Sequence, residues 1–130
     1  MEAKESALKY YQRYTVAEWE HWQDRWELIN GFPYAMSPMP TSFHQNINGK
    51  ILHQLYNLLD DCNSCKVYLP INWKVDNETV VHPDISVVCP GFEGTYLEYA
   101  PKIIFEILSP STVLKDRNQK FDLYEAQQVE

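Results

Sequence analysis

Two carboxylates stand where an apolar strand pattern leaves little room for charge. Asp84 follows Pro83 in Val80-Val-His-Pro-Asp-Ile-Ser-Val-Val, and Glu106 interrupts Ile103-Ile-Phe-Glu-Ile-Leu. Burying an ionised carboxylate is costly unless a partner compensates it. Two that lie close together also repel, and one then resists ionisation. A divalent cation relieves both costs, since hard oxygen donors suit magnesium. The plainer alternative is that each acid accepts hydrogen bonds or pairs with Lys or Arg at a strand end. A candidate cation lies downstream. Asp116, Lys120 and Tyr124 are spaced i, i+4, i+8 and share one face of a helix. Asp116 and Lys120 can form a surface ion pair, worth about 0.3–0.5 kcal/mol. The sharper reading sends Lys120 down to the acids, to orient a water or neutralise a phosphate.

The elements that must position these groups follow from pattern and punctuation. Residues 1–13 read as a flexible N-terminal arm, and 14–130 as one domain. Thr15 and Glu18 form a capping box for a short helix to about Trp22. Trp26-Glu-Leu-Ile and Phe32-Pro-Tyr-Ala-Met flank Asn30-Gly31, a two-residue hairpin signal. Pro38 and Pro40 end the hairpin. Thr41 or Ser42 caps a helix of about five turns, whose Ile47, Ile51, Leu52, Leu55, Leu58 and Leu59 form one packed face. Lys66 to Val75 and Thr79 to Cys89 read as strands. Lys102 to Leu108 reads as a strand apolar on both faces, fit for the middle of a covered sheet. Pro110 breaks it. Ser111 or Thr112 then caps a last helix with Val113, Phe121 and Tyr124 inside. The fold class is α/β (α+β), a mixed central sheet flanked by helices, with an N-terminal helix and hairpin.

Composition narrows the classes. The chain has 130 residues, is 45% hydrophobic and carries a net charge of −7. That balance excludes bulk electrostatic binding of nucleic acid and leaves a local patch, a metal or a partner subunit. No apolar run approaches the roughly 20 residues needed to span a bilayer. No leader pattern opens the chain, so a cytoplasmic location is expected. Three cysteines argue against a disulfide framework. Cys62 and Cys65 form a lone C-x-x-C in a turn, read as reduced thiols, and Cys89 reads as a small buried hydrophobe.

Pro83-Asp84, Glu106-Ile-Leu-Ser-Pro-Ser-Thr112, Asp116, Lys120 and Tyr124 together resemble the Uma-two family of restriction-endonuclease-like proteins. That family lies in the PD-(D/E)XK nuclease superfamily. Tyr14-Thr-Val-Ala-Glu-Trp, Glu27-Leu-Ile-Asn-Gly-Phe-Pro-Tyr-Ala-Met-Ser-Pro and Ser42-Phe-His-Gln extend the likeness over about 14–130. The resemblance implies a restriction-endonuclease-like core and a Mg²⁺ (or Mn²⁺) site. Asp84, Glu106 and the backbone carbonyl of Ile107 would hold the ion, with Glu27 joining through water. The superfamily lysine usually lies two residues after the Glu. Leu108 occupies that place here, and Lys120 matches a lysine moved to the next helix. His44 matches a family histidine, and packing or capping is an equal alternative. His82 shares the Asp84 strand face as an extra ligand, a base or a structural histidine. Asp116 and Tyr124 are accessory positions. The family runs on with further strands, so strands beyond residue 130 are expected and a homodimer would cover the edge.

Three functions follow. One is metal-dependent endonucleolytic hydrolysis of DNA. The second is a catalytically inactive nuclease-fold binding module or fragment. The third is a metal-free carboxylate-pair hydrolase acting on a sugar, with Trp19, Trp22, Trp26 and Trp73 as a cleft or, more plainly, as core.

Overall fold

The computed structural model describes residues 12–36, 40–108 and 115–130, the side chains of 115–117 excepted. Residues 1–11 of the arm, Pro38, Pro110, the Ser111 or Thr112 cap, Val113 and the side chain of Asp116 lie outside that set. The end of the arm is held rather than loose: the Arg13 guanidinium donates to the Asn30 carbonyl at 3.0 Å and pairs with Glu78 at 2.6 Å.

Thr15 and Glu18 close the expected capping box on α1 (Val16–Trp19). The helix stops three residues short of Trp22. The Trp19 indole N–H is directed to the Trp26 carbonyl at 2.8 Å, and Asp24 turns the chain back at φ 66°. Strands β1 (Trp26–Ile29) and β2 (Phe32–Ala35) pair in register Ile29↔Phe32. Asn30 and Gly31 both have positive φ, 51° and 84°, as a two-residue hairpin turn demands. Pro33 is tolerated because β2 ends its sheet.

Helix α2 (Ser42–Leu58) takes Thr41 as its cap, whose hydroxyl accepts from the His44 N–H at 3.2 Å. Its inner stripe is only half-buried, and Leu58 points outward at 78% exposure, against the expectation of a packed residue. The other five stripe residues, Leu59 included, stay half-buried.

Six short strands follow: β3 (Lys66–Tyr68), β4 (Asn72–Asp76), β5 (Thr79–Val81), β6 (Ile85–Val88), β7 (Tyr96–Leu97) and β8 (Ile103–Phe105). Two expected long strands are thus each divided between two sheets. The breaks fall at Leu69-Pro70-Ile71 and His82-Pro83-Asp84, where proline has no N–H for a ladder. One sheet runs β2-β1-β5-β4-β7 and the other β3-β6-β8. The β4–β7 pair is parallel and the other pairs antiparallel, so the architecture is mixed α+β.

Among the described residues β8 pairs with β6 alone, and its residues are half-buried. An apolar run on both faces reports cover from above and below; it does not count the strand's neighbours. After it, a π-helical turn (Lys115–Lys120) leads into α3 (Phe121–Ala126).

Alternation along β1 and β5 separates two cores. Ile29 and Val81 join Trp73, Val88 and Leu97, with Leu123 and Tyr124 packed against them. Leu28 and Val80 join Val16, under Tyr14, Trp19 and Trp22. No helix among the described residues is long and apolar enough to cross a membrane.

The cysteine expectation is overturned. Cys65 and Cys89 form a disulfide, leaving Cys62 free. The β3–β6 register Lys66↔Val88 sets residues 65 and 89 directly opposite, which sequence spacing alone does not reveal.

Candidate active site

The His82-Pro83-Asp84 break sets Asp84 immediately before β6, and the end of β8 sets Glu106 immediately after that strand. One step beyond the Ile85↔Phe105 pair, the same register brings Asp84 opposite Glu106. The ladder's next N–H, from Ile107, donates to Asp84 Oδ2 at 2.7 Å. His44, from the first turn of α2, places Nε2 3.1 Å from Asp84 Oδ1. His44 Nδ1 is buried without a hydrogen-bond partner among the described residues.

Lys120 enters from the π-helical turn and is 2% exposed. Its Nζ lies 2.7 Å from Glu27 Oε2 and 3.0 Å from Glu106 Oε1. The Tyr124 hydroxyl donates to that same Glu106 oxygen at 2.7 Å. Lys120 and Tyr124 therefore do share a face, four residues apart. Lys120 makes the buried pairing with the acids that the sharper reading expected. Glu27, fully buried on β1, also accepts the His82 N–H at 2.9 Å.

The π-helical turn alters which residues face inward. Phe121, expected in the inner stripe, is 61% exposed, while Leu123 and Tyr124 pack on the core. A wider turn shifts the helix face by about one residue, and such turns recur at functional sites.

Three carboxylates (Glu27, Asp84 and Glu106) share this cluster with one ammonium, which pairs with Glu27 and Glu106. Glu106 responds by keeping its proton: burial pushes its carboxyl up to about 8, and the Asp84 and Glu27 charges add to the rise. Lys120 and Tyr124 pull the other way without offsetting it. Because Oε1 accepts both of those donors, the proton belongs on Oε2.

The donor set suits a hard divalent cation, which would supply the missing positive charge. Among the described residues no three His, Cys, Asp or Glu side chains stand as a ready-made metal cage. The candidate donors are instead two carboxylates and a main-chain carbonyl.

His82 is turned from this cluster. Its Nδ1 contacts the Met36 sulfur at 2.7 Å, and its ring lies by Trp19. Three of the four tryptophans (Trp19, Trp22 and Trp26) line a groove of about 650 Å³ with His82 and Tyr96. Its acids are Glu20 and Asp24, so the Asp84–Glu106 pair does not serve that groove. Trp73 is core. The engagement of Glu27 with Lys120 was missed by reading the sequence. Its signal was there: a lone acid inside Trp-Glu-Leu-Ile, the same kind of interruption as Glu106.

The sequence profile described as "Putative restriction endonuclease" (Uma2) matches residues 9–130. The chain is 32% identical over 112 residues to the uncharacterized protein slr1290 of Synechocystis sp. (strain ATCC 27184 / PCC 6803 / Kazusa), covering 82% of this chain and 58% of that protein. It shares its fold with the crystal structure of a putative nuclease belonging to DUF820 from Anabaena variabilis ATCC 29413. There the TM-score is 0.66 at 22% identity, over 78% of this chain and 64% of the other. The chain thus spans less than two thirds of either relative's length.

Proposed function

We propose, for a chain that belongs to the Uma2 family, that the carboxylate cluster is the active site of a divalent-metal-dependent endonuclease hydrolysing DNA phosphodiester bonds. The observation that carries this reading is the meeting of Asp84, Glu106 and Lys120, drawn from three separate elements, in one buried cluster with too few positive charges.

Asp84, Glu106 and the Ile107 carbonyl would hold magnesium or manganese, and Glu27 would reach the ion through water. A cation of that kind supplies a Lewis acid that polarises a phosphate and acidifies water. Glu106 would serve as a ligand in its ionised form, which a bound cation favours over the protonated one. Lys120 stays at Glu106 Oε1, placed to orient the attacking water or to stabilise charge growing on the phosphate. Glu27 holds the lysine, and the Tyr124 hydroxyl holds the orientation of Glu106. His44 fixes Asp84 through Oδ1. The net charge of −7 is then no obstacle, because contact with the polyanion is local and metal-assisted.

The test is nicking of supercoiled plasmid in Mg²⁺ or Mn²⁺ by wild type, Asp84→Asn and Glu106→Gln. Both variants keep an oxygen for the Ile107, Lys120 and Tyr124 donors, so the fold should persist. We expect each to lose at least about 100-fold in rate, the scale of losing one electrostatic group. Full activity in either variant, or activity unchanged by a chelator, overturns the reading. Absent activity in wild type leaves a binding module. Lys120→Ala is a poorer probe, because it removes the ammonium beside the buried Glu27 carboxylate and breaking a buried ion pair costs about 3–5 kcal/mol.

The acting form is proposed to be a homodimer, whose two-fold axis would match that of duplex DNA and offer one site to each strand. Sedimentation at twice the 15.3 kDa chain mass supports this, and sedimentation at 15.3 kDa overturns it.

A further inference from the structure

The three cysteines play no part in the carboxylate cluster, yet the fold gathers them at one end of the β3–β6 ladder. Cys65 and Cys89 are bonded across the strands. Cys62 keeps a free, half-buried thiol in the turn between α2 and β3. The Ser64 hydroxyl stands between the two partners of the C-x-x-C, 3.7 Å from Cys62 Sγ and 3.9 Å from Cys65 Sγ. All three cysteines are partly accessible.

The surroundings of Cys62 favour its reactive form. The Ser64 hydroxyl, the main chain at Cys65 and Ser64, and the Lys66 charge lower its thiol below the ordinary range. Thiolates, not thiols, attack disulfides.

We propose that Cys62 and the Cys65–Cys89 disulfide form a thiol–disulfide exchange site, in which the bond moves between the strand ladder and the Cys62–Cys65 turn. Cys62 Sγ, as thiolate, attacks Cys65 Sγ. The Cys62–Cys65 bond forms as the Cys65–Cys89 bond breaks. The electron pair leaves on Cys89 Sγ, which takes up the proton given up by Cys62. The step is an isomerisation, and no oxidant or reductant is consumed.

The exchange has a structural reach. Asp84 stands immediately before β6 and Cys89 immediately after it, so the cross-strand bond tethers the far end of the strand that follows Asp84. In the exchanged form that end is held by the Lys66↔Val88 pair and by the Gly91 N–H on the Ser64 carbonyl at 3.1 Å.

The experiment uses the full chain, purified in air without reductant and held at pH 8 for several hours, the timescale of uncatalysed rearrangement. Free thiols are then capped with N-ethylmaleimide and peptides mapped without reduction. We expect two linked species: Cys65–Cys89 with label on Cys62, and Cys62–Cys65 with label on Cys89. In Cys62→Ser the Cys89 label should be lost. In Cys89→Ser, incubation with oxidised glutathione should yield the Cys62–Cys65 link. A wild-type map holding only Cys65–Cys89 overturns the proposal. So does Cys89 labelling that persists unchanged in Cys62→Ser, which would mean reduction rather than exchange. Label on all three cysteines overturns it as well.

Discussion

Burial makes the charged form of Glu106 costly, and that cost has a measurable consequence. In the unfolded chain its carboxyl ionises near 4.5, whereas the folded protein holds the proton to about 8. Across that window the unfolded state binds fewer protons than the native one, so stability falls as pH rises. In the presence of a chelator, the melting temperature of wild type should therefore drop between pH 5 and pH 8. Glu106→Gln should flatten that slope and be the more stable protein at pH 8. Parallel melting curves for the two proteins would refute the assignment. Asp84 meets a main-chain N–H and His44 through its two oxygens. Both acids were legible in the sequence as interruptions of apolar runs. That Glu106 keeps its proton was not, because that depends on what surrounds the side chain.

At the scale of elements, the π-helical turn decides how the last helix presents its residues. Lys120 is drawn under the sheet to Glu27, and the following Phe121 is turned out. A regular helical stripe would instead bury Phe121. Urea unfolding separates the two arrangements. Phe121→Ser should change stability by no more than about 0.5 kcal/mol, as a surface substitution does. Leu123→Ala should cost roughly 1–3 kcal/mol, because Leu123 packs against the core of Ile29, Trp73 and Val81. The reverse order would restore the regular stripe. Proline had a comparable influence on the strands. Pro70 and Pro83 stand inside runs whose pattern reads as single strands, and each sends one half of its run to another sheet.

At the scale of the whole molecule, charge and metal are linked. A chain of net charge −7 with an excess of negative charge at one buried cluster should gain stability from a divalent ion. Titrating Mg²⁺ or Mn²⁺ while following thermal unfolding should raise the melting temperature of wild type and leave that of Asp84→Asn unmoved. At a free metal concentration of 100 Kd the gain is about 2.7 kcal/mol. A flat response in wild type would remove the metal from the proposed mechanism, and an equal rise in both proteins would place the ion elsewhere.

What the sequence determined by itself lies within a few residues of its cause. Asn30-Gly31 makes the hairpin because both positions accept positive φ. Thr15 with Glu18, and Thr41 alone, start helices because a side-chain oxygen reaches an N–H two or three residues on. Asp84, Glu106, Lys120 and Tyr124 stood out because their types and spacing break a pattern. The tertiary structure alone decided which groups meet: Lys120 with Glu27, His44 with Asp84, Cys65 with Cys89. Those partnerships follow from strand register and from the summed burial that selects it. Such quantities belong to the folded chain as a whole and cannot be read from any short stretch of it.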